Sequence, residues 1–322
     1  MAPVAVLMHE PVAAWRRAGM PWRIAYVVGV VLMVVGLAHG AAWLVVGGAW
    51  EGPVSFRKPF SFGVSFGLTT ITLAWVADRL ELSRRAGWWL LLPLAVADSS
   101  EVLWVSVQRA RGVASHFNFG TPLDNLLFTV IGGGAISVTV VVIVALTVSA
   151  FRARTDDPAL TLAIRAGLLI LLVAMVGGGA MIRVGTSRAL QGQASDMVRW
   201  GAAGNMKVTH AIGMHGVQVL AGLALWLSAV PLAPASRVRV VWLAVAGYTG
   251  LLVAGTIQWL DGRGLGQFGW LDGPLWLLSA AALAGVVATA LWTARRPPPQ
   301  QRGDQSGSGQ VWTGSRENAA ST

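Results

Sequence analysis

Two carboxylates, Asp98 and Glu101, stand one helical turn apart in an otherwise apolar stretch that runs from Trp88 to Val107. Residues at i and i+3 share a helix face. At the centre of a bilayer each acid costs several kcal/mol if it faces lipid. The pair is therefore either held by partners inside a helix bundle or used there. Gln108 continues the same face to within roughly 80° at 3.6 residues per turn, although Val105 interrupts the stripe. Such a stripe suits a proton or cation path, or carboxylate ligands to a metal. The plainer alternative is a structural ion pair with a base or a hydrogen-bonded histidine.

Histidine is scarce, with five in the chain. His39 and His215 each sit on the order of 12 Å below the outer end of an apolar segment, level with Glu101. Two imidazoles facing each other across a bundle can hold a haem iron, and with Glu101 the set suits a divalent transition metal. His210 and His215 lie on different faces of one helix. His215 pairs with Gln218, whereas Met206, His210 and Met214 form a stripe that suits Cu(I) or serves as ordinary apolar filler.

The densest polar segment is "QRARGVASHFNFGTPLD", with Arg109, Arg111, Ser115, His116 and Asn118 as donors ahead of the helix start Thr121-Pro122. On the same side, "FRKPF" brings Arg57 and Lys58 to a proline-opened helix. Helix N-termini together with arginines favour an anion: a lipid phosphate, a haem propionate or a carboxylate substrate. Simple contact with headgroups is the alternative. Ser115 and His116 are adjacent, an arrangement that seldom gives a nucleophile and its base. There is no desaturase-type histidine box, G-x-S-x-G elbow, Walker sequence or H-E-x-x-H motif.

The elements that must position these residues are membrane spans. The 322 residues are 55% hydrophobic and only 12% charged, with mean hydropathy +0.62, where a soluble domain is about 25% charged. No cysteine occurs, which removes disulfides and thiolate chemistry. The net charge of +10 sits between apolar spans rather than in a stripe, so it points to topology and anionic lipid, not nucleic acid. Eight stretches are long enough to span, near 24–47, 60–78, 87–107, 122–150, 160–182, 207–229, 238–259 and 273–294. The segments on the side of the termini carry 15 of the 24 Lys and Arg, which places both termini in the cytoplasm.

The expected architecture is thus an all-α polytopic transmembrane bundle over 24–294. It is preceded by a short basic tail, 1–23, with an interfacial turn around Ala13 to Arg17. A polar Pro/Gly/Ser/Gln-rich tail, 295–322, reads as disordered and cytoplasmic. One internal echo, "VIGGGAIS" against "MVGGGAMI", joins the fourth and fifth spans, and its Gly triplets suggest tight helix packing or room for a ligand.

The motifs "RKPFSFG", "QRARGVASHFN" and "THAIGMHGVQ" resemble those of a group of uncharacterised multi-pass membrane proteins of bacteria, over roughly residues 50–260. The resemblance implies a bacterial membrane protein and carries no reaction or site residue with it; the expected location is the cytoplasmic membrane. From the residues, three functions stay open. One is a polar ligand or cofactor pocket in the outer half of the bilayer, walled by His39, Asp98, Glu101, His215 and Gln218 and entered past Arg57, Lys58, Arg109, Arg111, His116 and Asn118. The others are a proton-coupled transporter of an anionic solute and a lipid-modifying enzyme. Whether the chain is an enzyme, and its oligomeric state, stay open.

Overall fold

The computed structural model describes residues 3–153, 155–193 and 198–295, the side chains of 3–8 excepted. Eight of its helices are long and apolar enough to cross a membrane: Met20–Val46, Arg57–Arg79, Arg84–Ala110, Pro122–Arg152, Pro158–Leu190, Met206–Ser228, Pro234–Leu260 and Asp272–Ala294. They follow the expected spans closely. The fifth departs most, continuing through Gly185 to Leu190 into what reads as loop. The expected C-terminal tail, apart from Arg295, lies outside the described residues.

Local chemistry sets the ends. Ser83 caps the third span by accepting from Ala86 N, and Thr121 caps the fourth by accepting from Asp124 N. Asp157 and Asn205 cap the fifth and sixth in the same way. Proline fills the first turn of the first, fourth, fifth and seventh spans.

The distribution of side chains is that of a protein solvated by lipid. Val45, Trp89, Val176 and Leu277 are among many large apolar residues turned outward, whereas Thr69, Thr70, Asp98, Glu101 and Gln108 are buried. A soluble fold has the reverse arrangement. The chain is a multi-pass membrane protein. The first two spans pack closely along their length, because Gly36 and Gly63 meet backbone to backbone; a Cβ at Gly36 would stand 2.7 Å from Val64 N. The third span packs against both, and the fourth packs on the third.

Two spans are irregular. The fourth opens with one turn of α-helix and then a π-helical turn, Leu127–Gly132. The sixth is broken at His215, between Met206–Met214 and Gly216–Ser228. The break is closed locally: in the orientation that satisfies both ends of its amide, Gln218 donates to the carbonyls of Met214 at 3.1 Å and His215 at 3.3 Å. Residues expected as a tail with one turn form a helix, Pro3–Arg17. Its Glu10 binds Arg17, Trp75 and Arg79, so this helix lies at the end of the bundle where the second span finishes. The opposite end, which carries the loops after the first, third, fifth and seventh spans, is the far end.

Candidate functional site

The third span presents its polar face in three rungs, and each is treated differently. The deepest, Asp98, is buried, and its oxygens lie 2.5 Å from Thr70 Oγ1 and 3.2 Å from Thr139 Oγ1. One hydroxyl comes from the second span and the other from the fourth, so Asp98 ties three helices together. The outermost, Gln108, donates to Asp124 Oδ1 at 2.9 Å and also binds Arg111, while Arg111 reaches Asp124 at 2.7 Å. That rung holds the far-end loop onto the start of the fourth span.

Glu101, the middle rung, is different. It is wholly buried, and neither carboxylate oxygen has a hydrogen-bond partner. Among the described residues its one basic neighbour within 4 Å is His116, with Nε2 3.5 Å from Oε1. A buried polar group is ordinarily paired, and Glu101 departs from that rule where Asp98 and Gln108 follow it. Gly132, the last residue of the π-helical turn, lets the fourth span approach. A Cβ there would stand 2.9 Å from the Trp104 ring and 3.7 Å from Glu101 Oε2. π-Helical turns recur at functional sites for this kind of local reshaping.

His116 reaches Glu101 because of the loop that carries it. The next residue, Phe117, has φ +57°, a left-handed conformation that costs energy for a bulky side chain. Its ring seats against Gly185 of the fifth span, where any Cβ would collide with it. The imidazole lies among aromatic rings, 4.8 Å from Trp104, 5.2 Å from Phe62 and 6.0 Å from Phe128. Its other nitrogen, Nδ1, is 3.0 Å from Ser115 Oγ. Ser115, His116 and Glu101 therefore form one line from the far end into the span.

Ser115 lines a narrow surface cleft together with Ser55, Lys58, Pro59, Arg109 and Val113. Ser55 Oγ is buried without a partner, as is Arg109 Nε, while the Arg109 guanidinium lies 3.9 Å over the Phe56 ring. Lys58 Nζ donates to Pro53 O at 3.3 Å. The cleft is thus cationic and hydroxyl-lined, and it stands at the N-terminus of a 23-residue helix.

Of the residues singled out from the sequence, Glu101, His116, Lys58 and Arg109 come together here. Arg57 pairs with Glu51 at 3.0 Å, and Asn118 closes its own turn through Ala114 O and Gly120 N. The expected haem or metal set does not assemble. His39 binds Val35 O of its own helix at 2.9 Å, His210 binds Ala174 O at 2.8 Å, and His215 Nδ1 is buried without a partner. Among the described residues no three His, Cys, Asp or Glu side chains are placed to share a metal ion. Equal depth in the membrane did not bring His39, Glu101 and His215 side by side, since depth fixes one coordinate of three. Ser115 was expected only as a loop donor, and Ser55 was not singled out at all. Nothing in a serine between Val54 and Phe56 signals burial in a cleft.

No known protein family, curated protein or solved structure matches the chain.

Proposed function

We propose that this protein of the bacterial cytoplasmic membrane binds an anionic group in the Ser55–Lys58–Arg109 cleft and exchanges a proton between that cleft and Glu101. The observation that carries the reading is the line Ser115 Oγ, His116 Nδ1 and Nε2, Glu101 Oε1, with steps of 3.0 and 3.5 Å. Imidazole can accept a proton at one nitrogen and release one at the other. The excess of Lys and Arg on the side of the termini puts the far end outside the cell. The cleft then lies at the level of outer-leaflet headgroups, and its ligand is a phosphate, on a lipid or free.

Beyond Asp98 the interior is filled by Leu73, Leu91 and Leu94, all fully buried. The polar line thus stops inside the protein, which favours binding with local proton exchange over transport across the membrane.

The test is calorimetric titration of the purified protein with inorganic phosphate and with dihexanoyl phosphatidic acid, in two buffers of different ionisation heat. Saturable binding with proton uptake or release is expected. Arg109→Ala should weaken binding at least about tenfold, a loss of about 1.4 kcal/mol. Glu101→Gln should keep binding and abolish the proton linkage. Absence of saturable binding, or linkage unchanged in Glu101→Gln, overturns the reading.

A second reading has one specific support, the contact between Ser115 Oγ and His116 Nδ1. A hydroxyl on an imidazole that is backed by a carboxylate is the arrangement of an activated nucleophile, here beside a cationic cleft. In that case the protein modifies a lipid headgroup. Ser115→Ala would abolish formation of the modified lipid while leaving phosphatidic acid binding intact.

A further inference from the structure

The molecule has a second narrow far-end cleft between the sixth, seventh and eighth spans. Its walls correspond to those of the first. Ser55, Lys58, Pro59, Arg109, Val113 and Ser115 line one; Asn205, Val208, Thr209, Trp259, Arg263 and Leu265, each 150 positions later, line the other. Val105 and Gly255 extend the match.

The correspondence runs through the whole fold. The third and seventh spans, Arg84–Ala110 and Pro234–Leu260, are both 27 residues long and 150 positions apart at each end. Both exit through a left-handed glycine, Gly112 at φ +71° and Gly262 at φ +69°. Gln108 donates to Ala114 O at 3.5 Å, and Gln258 donates to Gly264 O at 3.1 Å. An arginine in each loop then pairs with an acid in the first turn of the next span: Arg111 with Asp124 at 2.7 Å, Arg263 with Asp272 at 2.6 Å.

Helix packing repeats as well. A Cβ on Gly40 would meet the Phe60 ring at 2.9 Å, and one on Gly178 would meet the His210 ring at 3.0 Å. Gly63 abuts Gly36 as Gly213 abuts Ala174, and Gly29 abuts Gly67 as Gly167 abuts Val217. In every case the residue on the sixth span follows its counterpart on the second by 150 positions. The residue on the fifth follows its counterpart on the first by 138. Four spans separate the copies, so both run in the same direction through the membrane, as in parallel transporter repeats.

We propose that the chain is a tandem pair of four-span units, and that the cleft between Thr209, Gln258 and Trp276 is a second binding site, for a neutral hydroxylated headgroup such as glycerol or a sugar. The shape is kept while the charge is removed. Val208 and Trp259 stand where Lys58 and Arg109 stand in the first unit, and Arg263 is tied to Asp261 and Asp272. Trp276 Nε1 is buried in the wall without a partner. Gly255 lets Thr209 and Trp276 close in on the seventh span: a Cβ there would stand 2.7 Å from Thr209 Oγ1 and 3.5 Å from the Trp276 ring. Indole faces with a few convergent polar groups suit the C–H face and hydroxyls of a polyol. The choice of this cleft rests on its likeness to the first, read above as a binding site; the duplication does not, and glucolipid binding tests the second site directly.

Native mass spectrometry of the full chain in an amine-oxide detergent tests this. The probes are dihexanoyl phosphatidic acid and a short-chain glucosyl diacylglycerol. The wild type should hold one of each at once. Trp276→Phe, which removes only the indole N–H and part of the ring, should weaken the glucolipid about tenfold and leave phosphatidic acid unchanged. Arg109→Ala should do the reverse. Val208→Lys with Trp259→Arg should admit a second phosphatidic acid. Displacement of the glucolipid by millimolar glucose assigns the site to a soluble polyol, within the same class; resistance assigns it to a lipid headgroup. Glucolipid binding that is unsaturable, or that falls in Arg109→Ala and not in Trp276→Phe, overturns the proposal. Failure of phosphatidic acid binding alone overturns the function proposed above and leaves this site standing.

Discussion

His116, itself partly exposed, stands 3.5 Å from the buried Glu101, and it is the only base within 4 Å of that carboxyl among the described residues. The two come from one chain segment that doubles back: Glu101 sits on the third span and His116 on the loop that follows it. The loop is pinned from three sides, by Gln108 and Arg111 on Asp124, by Phe117 against Gly185, and by the rings around the imidazole.

This pairing predicts strong coupling. His116→Ala leaves Glu101 with no base, and breaking a buried pair by removing one member costs about 3–5 kcal/mol. Glu101→Gln in the same background should recover most of that loss. Unfolding of the four proteins of this double-mutant cycle in detergent measures it. Additive losses would mean that the two side chains do not interact.

The glycine triplets predict contrasting behaviour within a few residues. Gly132 faces Trp104 and Gly178 faces His210, so alanine at either overpacks the contact and costs about 1–3 kcal/mol. Gly133, Gly134, Gly177 and Gly179 face open space, and alanine there should be neutral or stabilise by up to about 1 kcal/mol. Thermal denaturation of the six single variants checks the pattern, and a uniform response would refute it.

Glu10 predicts a pH response at the other end of the molecule. Burial opposes its ionisation, but hydrogen bonds from Arg79 and Trp75, then the Arg79 charge and Arg17, hold its carboxyl below the ordinary 4.5. A depressed acid stabilises the docked state above the unfolded value, and that contribution is lost as pH falls through the folded one. The helix Pro3–Arg17 should therefore loosen below about pH 4.5. Asp78, 3.4 Å from Arg17, is the other acid in the cluster. A spin label at Val12 should gain mobility in acid, and Glu10→Gln should show that mobility already at neutral pH. A label equally mobile at both pH values in the wild type would show that Glu10 does not hold the helix.

Hydropathy made the eight spans legible, because each must be apolar over its whole length whatever it packs against. The shared face of Asp98, Glu101 and Gln108 was legible for a similar reason, since helical geometry is local. What lay beyond reach was long-range. Thr70 and Thr139 read as ordinary helix residues until the helices they sit on are brought to Asp98. His116 and Ser115 depend on a loop conformation that hangs on Phe117 and Gly185. The Gly triplets at 132–134 and 177–179 looked like a repeat, yet Gly178 plays the part of Gly40. The true repeat keeps backbone contacts and turn glycines while changing most side chains, so letters alone hide it.

Gly36 and Gly63 bring the first two spans together main chain to main chain, with no side chains between them to yield. Such a hairpin is a strut: it tilts or turns as one piece and does not shear. Lys58 stands at one tip of the strut and Trp75 near the other, beside Glu10. A tilt of this hairpin would therefore move Lys58 and Trp75 together, with the lever arm of a 23-residue helix between them.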